Sequence, residues 1–239
     1  MQLRHLIPDR WKRALKIRLG APEMFWSICN LKKNGFYPRT VLDIGAYHGE
    51  WTSEAIKVFP DSHFLMIEAN PEKEDILASV CKKLQGVEFE IALLASESNL
   101  SKEFNLLENG SSVLEEFNEA NGRKICLATS TVDALLGKHS IEKVDFIKID
   151  VQGYELEILR GAERYLETCE VILSEVSLMA LHKNCPLLVD VVDFMDRFGY
   201  CAYDICSVAT RRPYDMALWQ TDIIFVKKNS KLLASKRFF

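Results

Sequence analysis

Apolar positions along this chain follow two rhythms. Near the start, Trp11, Leu15 and Leu19 recur at helical spacing, and Met24, Phe25, Ile28 and Leu31 form a second stripe. The spacing predicts one or two helices over residues 1–38, closed where Gly35 and Pro38 break the pattern. From about residue 39, short apolar runs alternate with amphipathic segments. Strands are expected near 39–45, 63–68, 87–94, 144–149 and 171–175, and helices near 49–58, 71–84, 153–167 and 187–198. Pro71 suits a first helical turn, where its missing N–H leaves nothing unpaired. Two last strands, near 201–206 and 221–227, are close enough in sequence to pair antiparallel. This alternation predicts an α/β fold with a mostly parallel sheet and helices on both faces. Between 95 and 143 the rhythm breaks, and two strand-like pieces (Glu103–Leu106 and Ile125–Ala128) flank the polar run Asn109-Gly110-Ser111-Ser112. The expected layout is an N-terminal helical extension capping the ligand end of the sheet, one domain over 39–230 with an insertion near 95–143, and a basic tail over 231–239.

The densest chemistry lies in Thr40-Val41-Leu42-Asp43-Ile44-Gly45-Ala46-Tyr47-His48-Gly49-Glu50. An apolar run ends in an acid and two glycines spaced G-x-x-x-G, and a second apolar run, Phe64-Leu65-Met66-Ile67, stops at Glu68. Strand, glycine turn, helix and a second strand tipped by a carboxylate make the nucleoside-binding half of a doubly wound sheet. Glu68 then reaches both ribose hydroxyls, and the bare glycine backbone lets the ligand approach closely. A dinucleotide site wants G-x-G-x-x-G, with a pyrophosphate on the helix N-terminus. Tyr47-His48 replace the middle glycine here and Asp43 precedes the turn, which favours an amino-acid head without phosphate, namely S-adenosylmethionine. The cofactor set is Asp43, Gly45, Ala46 and Gly49 for the methionine end, Glu68 for the ribose, and Ala92 and Leu93, or else the following Ser96 and Glu97, beside the base.

A second block, Val144-Asp145-Phe146-Ile147-Lys148-Ile149-Asp150-Val151-Gln152-Gly153-Tyr154-Glu155, puts Lys148 and Asp150 on one face of a strand as it leaves the sheet. The next strand ends in Leu173-Ser174-Glu175, so Asp150 and Glu175 come from neighbouring strand tips. Two such carboxylates can raise one another's pKa and leave one poised as a base, and they could equally hold a divalent cation or grip substrate hydroxyls. His182 is a further candidate base, because an ordinary imidazole titrates near neutrality. His48, within the glycine turn, is likewise an acceptor-side candidate.

Composition narrows the field. With 34 acids against 30 bases there is no excess of positive charge to track a nucleic-acid backbone. Basic residues do gather at the ends, which suits solvated faces or contact with a membrane surface. Seven cysteines, odd in number and without C-x-x-C, read as free thiols in a reducing compartment. No apolar run is long enough to cross a bilayer and none resembles a leader. The expected location is the cytoplasm, with peripheral membrane contact left open.

The chain resembles the FkbM family of S-adenosylmethionine-dependent methyltransferases over about residues 35–228. The likeness rests on Val41–Gly49, Ile67-Glu68-Ala69-Asn70-Pro71, Gly110-Ser111-Ser112, Thr131-Val132-Asp133 and Gln220–Val226. Most specific is Phe146–Glu155 with Ile158-Leu159-Arg160-Gly161-Ala162 after it. The resemblance implies a seven-stranded Rossmann-like sheet with its last strand antiparallel. It also implies methyl transfer to a hydroxyl of a sugar, glycan or secondary metabolite. Gln152 replaces a glutamate common in relatives, which lowers the local negative charge and weakens any proposal of a metal. Asp150, Glu175 and His182 are left for the acceptor side, with Asp150 first. Two other readings compete: a nucleotide-dependent oxidoreductase, and a cofactor-binding assembly protein that has lost catalysis.

Overall fold

The computed structural model describes residues 9–106, 112–114, 123–180, 182–208 and 211–235. Its frame is a seven-stranded sheet of β1 (Thr40–Ile44), β2 (His63–Glu68), β3 (Val87–Ile91), β7 (Phe146–Ile149), β8 (Val171–Ser177), β9 (Tyr200–Val208) and β10 (Gln220–Lys227). Their spatial order is β3-β2-β1-β7-β8-β10-β9, parallel except that β10 runs antiparallel to both of its neighbours. The chain winds outward from β1 to β3 and then returns to place β7 against β1, with Asp43 opposite Lys148 and Ile44 opposite Ile149. The carboxyl ends of β1 and β7 therefore flank the switch point, where open α/β sheets bind their ligands.

Alternation along the central strands feeds two cores, because side chains at successive positions point to opposite faces. Leu42 and Ile44, with Leu65, Ile67, Ile147 and Ile149, pack under α5 (Val132–Lys138), α6 (Glu155–Arg160), α7 (Glu163–Leu166) and α8 (Leu188–Arg197). Val41, Phe64, Met66 and Phe146 face the other way, toward α2 (Met24–Lys33), α3 (Glu50–Val58) and α4 (Glu74–Lys83). Both faces being covered, these strands carry near-continuous apolar runs.

Several elements depart from the sequence expectation. The strand expected over 87–94 is two strands: β3 ends at Ile91, and β4 (Leu93–Leu94) joins β5 (Ser101–Leu106) and β6 (Arg123–Ser130) in a separate three-stranded sheet. Ala92 makes the crossing and stays tied to the main sheet through its N–H, donated to the Glu68 carbonyl at 2.9 Å. The long helix expected over 153–167 is broken into α6 and α7 around Gly161. A Cβ on Gly161 would lie 2.2 Å from the Ala95 carbonyl oxygen, so another stretch of backbone occupies the place of a side chain there. Pro71–Lys73 form a 3₁₀ turn before α4 instead of its first α-turn. Helix α5 has no counterpart in the expectation; its N-cap is Thr131, whose hydroxyl accepts from the Ala134 N–H.

Within the N-terminal extension, expected over the ligand end, helix α2 lies elsewhere. Ile28 and Leu31 bury into the second core, Ser27 donates to Asp204 of β9 at 2.6 Å, and Lys32 donates to the Val58 carbonyl at the end of α3. Helix α2 thus lies along a face of the sheet, because its apolar stripe is needed there. The supposed basic tail is partly packed: Leu232 and Leu233 lie against the same core. Gly110 and Ser111 are outside the described residues, as are 236–239. All seven cysteines are free thiols.

Candidate active site

A cavity of about 240 Å³ opens at the switch point, lined by the ends of β1, β2 and β7, the β3–β4 crossing and part of the insertion. Gly45 forms its floor. Its φ of +76° is in the left-handed region, and a Cβ there would lie 1.9 Å from the Asp150 carbonyl oxygen. Only glycine lets the turn after β1 pass this close to the turn after β7. Gly49 serves a different end. As the left-handed N-cap of α3, it would bring a Cβ to 3.0 Å from Met66 Sδ and 3.2 Å from Val80 Cγ2, so its bareness seats the helix against β2 and α4.

Glu68 lies at the tip of β2 with its side chain in the cavity and the residue only 8% exposed. The Tyr47 N–H donates to its Oε2 at 2.8 Å and the Asn70 N–H to its Oε1 at 2.8 Å, so each oxygen is oriented and keeps an unused lone pair. Burial pushes this carboxyl up from its ordinary value, opposed by those two backbone donors and by the Lys148 charge. Ala92, Leu93, Leu94, Phe104 and Ile158 make the apolar end of the same cavity.

Of the residues expected to hold a cofactor, Gly45, Glu68, Ala92 and Leu93 line the cavity; Asp43, Ala46, Gly49, Ser96 and Glu97 do not. Asp43 is the main correction. It is fully buried beneath the turn, accepts from Thr52 Oγ1 at 2.7 Å and pairs with Lys148 Nζ at 3.1 Å. Lys148 donates onward to the Gly45 carbonyl at 3.0 Å and stands 3.7 Å from Asp150. Burial alone would lower the Lys148 pKa, but Asp43 and then Asp150 overcome it and hold the ammonium above its ordinary range. Asp43 thus acts on the site through Lys148, which braces the glycine turn. Ala46 is buried in the second core, and its N–H donates to Ile67.

On the other side of the opening, Asp150 lines the cavity with its side chain 39% exposed. Gln152 spans two acids, its Nε2 donating to Asp150 Oδ1 at 3.3 Å and to Glu175 Oε2 at 3.1 Å. Gln220 also donates to Glu175 Oε2, at 2.8 Å. Burial, followed by the Asp150, Glu155 and Asp222 charges, lifts Glu175 well above the ordinary carboxylate range. Glu175 thus feels the Asp150 charge, but it stands behind Gln152 and does not line the cavity. His182, 5% exposed, does not line it either. His48 does not line it; the ring stacks on Tyr47 and lies 3.1 Å from Lys73 Nζ. Among the described residues no group of three His, Cys, Asp or Glu side chains is arranged to hold a metal ion.

Sequence reasoning gave no role to Asn70, Tyr154 or Gln152, which also line the cavity. Asn70 had a readable signal, an Asn before Pro at a helix start; its Oδ1 accepts from the Glu72 N–H at 2.9 Å. Ser112 brings part of the insertion to the opening: it lines the cavity and donates to the Gln152 carbonyl at 3.3 Å. Gln152 itself has a φ of +57° and Gly153 one of +93°, a bend fixed by Glu155 Oε1, which accepts from the N–H groups of Val151 and Gly153.

Glu155 carries a pH-dependent consequence. Burial pushes its carboxyl from 4.5 up to about 7, against the pull of those backbone donors. A raised carboxyl binds more protons folded than unfolded between these two values, so its contribution to stability falls as pH rises through that window. Glu155→Gln keeps an acceptor for the turn and removes the titration. It is expected to match the wild type near pH 5 and to exceed it at pH 8 by up to about 3 kcal/mol in urea unfolding. A variant that is no more stable than the wild type at pH 8 contradicts this account.

Comparison with known proteins agrees with this architecture. The family model described as the Methyltransferase FkbM domain matches residues 43–201. A solved FkbM methyltransferase from Methylobacillus flagellatus KT superposes with a TM-score of 0.50 at 18% identity, covering 78% of this chain and 43% of that one. This chain therefore spans less than half of that protein. The N-terminal domain of EvdMO1, crystallised in the presence of SAH and D-fucose, superposes with a TM-score of 0.51 at 8% identity, covering 86% of this chain and 83% of that domain. No curated protein matches the chain. The fold and site define a Rossmann-like methyltransferase. The chain belongs to the FkbM methyltransferase family, and its cofactor is S-adenosylmethionine. The oxidoreductase and the inactive assembly protein are not favoured.

Proposed function

We propose that this protein is an O-methyltransferase acting on a hydroxyl of a sugar, glycan or secondary metabolite, with Asp150 as the base. The observation that carries the reading is a pair of acids, Glu68 and Asp150, facing one cavity from opposite sides of the switch point. The residues present suit the cofactor. Glu68 offers two oriented oxygens to a ribose diol, Leu93, Phe104 and Ile158 offer apolar walls to a base, and the open backbone at Gly45 accommodates the amino-acid end. S-adenosylmethionine, when bound, supplies an electrophilic methyl group on a sulfonium and a neutral leaving thioether.

The protein's part is to align the acceptor oxygen behind that methyl, keep water out and take the hydroxyl proton. Asp150 suits the last task, since it is the acid on the cavity wall opposite Glu68 and is partly open. Gln152 holds its Oδ1 in place, and Lys148 lies beside its other oxygen. Glu175 and His182 act at most through neighbours. The absence of a bulk positive charge supports a small-molecule or glycan acceptor over a nucleic acid. The free thiols suit a reducing, cytoplasmic setting.

The test is incubation with labelled methyl donor and fractionated glycans and small molecules, followed by mass spectrometry of the product. Asp150→Asn is expected to lower turnover on the identified acceptor by about 10²-fold or more, the usual worth of a positioned base. Its affinity for S-adenosylhomocysteine should stay within about twofold of the wild type. Unchanged turnover removes Asp150 from the base role. Methyl found on nitrogen or carbon removes the O-methylation reading.

A further inference from the structure

Helix α1 (Asp9–Arg18) presents an apolar ridge that nothing among the described residues covers. Trp11 is 61% exposed, Leu15 55%, and Leu19, one residue past the helix, 72%. They follow one another at intervals of four, so they form one stripe. The opposite side of the helix is the one that holds to the protein. Arg13 pairs there with Glu23 at 3.0 Å and Glu54 at 3.7 Å, and its guanidinium lies over the Phe25 ring. Ile17, four residues on, is partly buried on that side. The ridge therefore faces outward because the helix is anchored by its other face.

Charge separates this helix from the rest of the molecule. Its sequence carries Arg10, Lys12, Arg13, Lys16 and Arg18 against the single acid Asp9, in a chain whose formal net charge is −4. Lys16 and Arg18 are exposed beside the ridge. Beyond the helix the apolar surface goes on. Gly20 and Trp26 line a shallow groove with Ile205 of the edge strand β9, and Trp26 and Ile205 are 39% and 49% exposed.

We infer that α1 is an interfacial helix that docks this protein on an anionic lipid bilayer. An apolar stripe one side chain wide, flanked by Lys and Arg and begun by a Trp, suits the boundary between acyl chains and headgroups. Anionic headgroups attract the basic helix and repel the acidic remainder, which fixes the orientation of docking. A second copy of the chain fits this face less well. Three side chains on a short helix fall well below the roughly 1,000 Å² that a stable protein interface buries. Among the described residues no helix is long and apolar enough to cross a membrane, so the contact is peripheral.

The experiment is co-sedimentation of the full chain with vesicles of phosphatidylcholine alone or mixed with phosphatidylglycerol. Binding to the anionic vesicles is expected to be about tenfold stronger or more, and to weaken in high salt. Trp11→Ser with Leu15→Ser, and separately Lys16→Glu with Arg18→Glu, should each reduce it by about tenfold or more, through lost apolar burial and lost attraction. Each variant's affinity for S-adenosylhomocysteine reports whether its fold is kept. Should a variant fail to fold, the wild type's preference between the two vesicle types decides alone. Equal binding to both vesicle types, no binding to either, or undiminished binding by folded variants overturns the proposal. So does a dimer that Leu15→Ser dissociates without any vesicle binding, since a second copy then covers the ridge.

Discussion

Replacing Lys148 by Met is expected to destabilise the fold by about 3–5 kcal/mol, the usual cost of leaving a buried charge without its partner. The stranded group is Asp43. It is fully buried, with Thr52 on one oxygen and Lys148 on the other, so the Lys148→Met variant leaves it a single hydroxyl donor. Adding Asp43→Asn to Lys148→Met removes the unpaired charge and should recover much of the loss. The Gly45 carbonyl also loses its donor, which loosens the turn below the cavity and weakens cofactor binding in both variants. Urea unfolding of the two single variants and the double variant measures the coupling. A Lys148→Met cost below about 1 kcal/mol, or a strictly additive double variant, removes the ion pair as the brace of the site.

That brace shows where reading the sequence runs out. Lys148 and Asp150 could be placed on one strand face from their spacing alone, and they do stand together. Asp43 could be placed only at the end of its strand. Its partner is 105 residues away and becomes its neighbour through the β1–β7 register, which no local pattern reports. Gly45 and Glu68 were legible as cavity residues because their places follow from strand-tip position and the absence of a side chain, both local properties. Glu175 was placed at the correct sheet edge, but the Gln152 side chain that separates it from the cavity depends on a left-handed bend after β7. The helix breaks at Gly161 because the Ala95 backbone crosses there, and 87–94 splits at Ala92 because the chain leaves β2 to pair with β6; apolar periodicity registers neither contact. The N-terminal helices were found by their period, but α2 was misplaced. A stripe says that a face is buried and not against what.

Removing the Glu68 carboxylate is expected to affect function most, and Glu68→Ala should weaken S-adenosylhomocysteine binding by about 10²–10⁴-fold. That range follows from two hydrogen bonds to a charged acceptor at roughly 1.5–3 kcal/mol each, with about 1.4 kcal/mol per factor of ten. Glu68→Gln separates charge from shape. Each carboxylate oxygen now faces a backbone N–H, from Tyr47 on one side and Asn70 on the other. An amide must point its own NH₂ at one of them, so donor meets donor and the side chain leaves its position. The Gln variant should therefore bind nearly as poorly as Ala, although it fills the same volume. Because burial raises the Glu68 pKa, wild-type affinity should also fall as pH is lowered toward that value, and neither variant should follow. Calorimetric titration with S-adenosylhomocysteine across pH 5–8 reads all three effects. Near wild-type affinity in Glu68→Gln would mean that the carboxylate is not what holds the ribose, and the orientation assigned to the nucleoside in this cavity would have to be reversed.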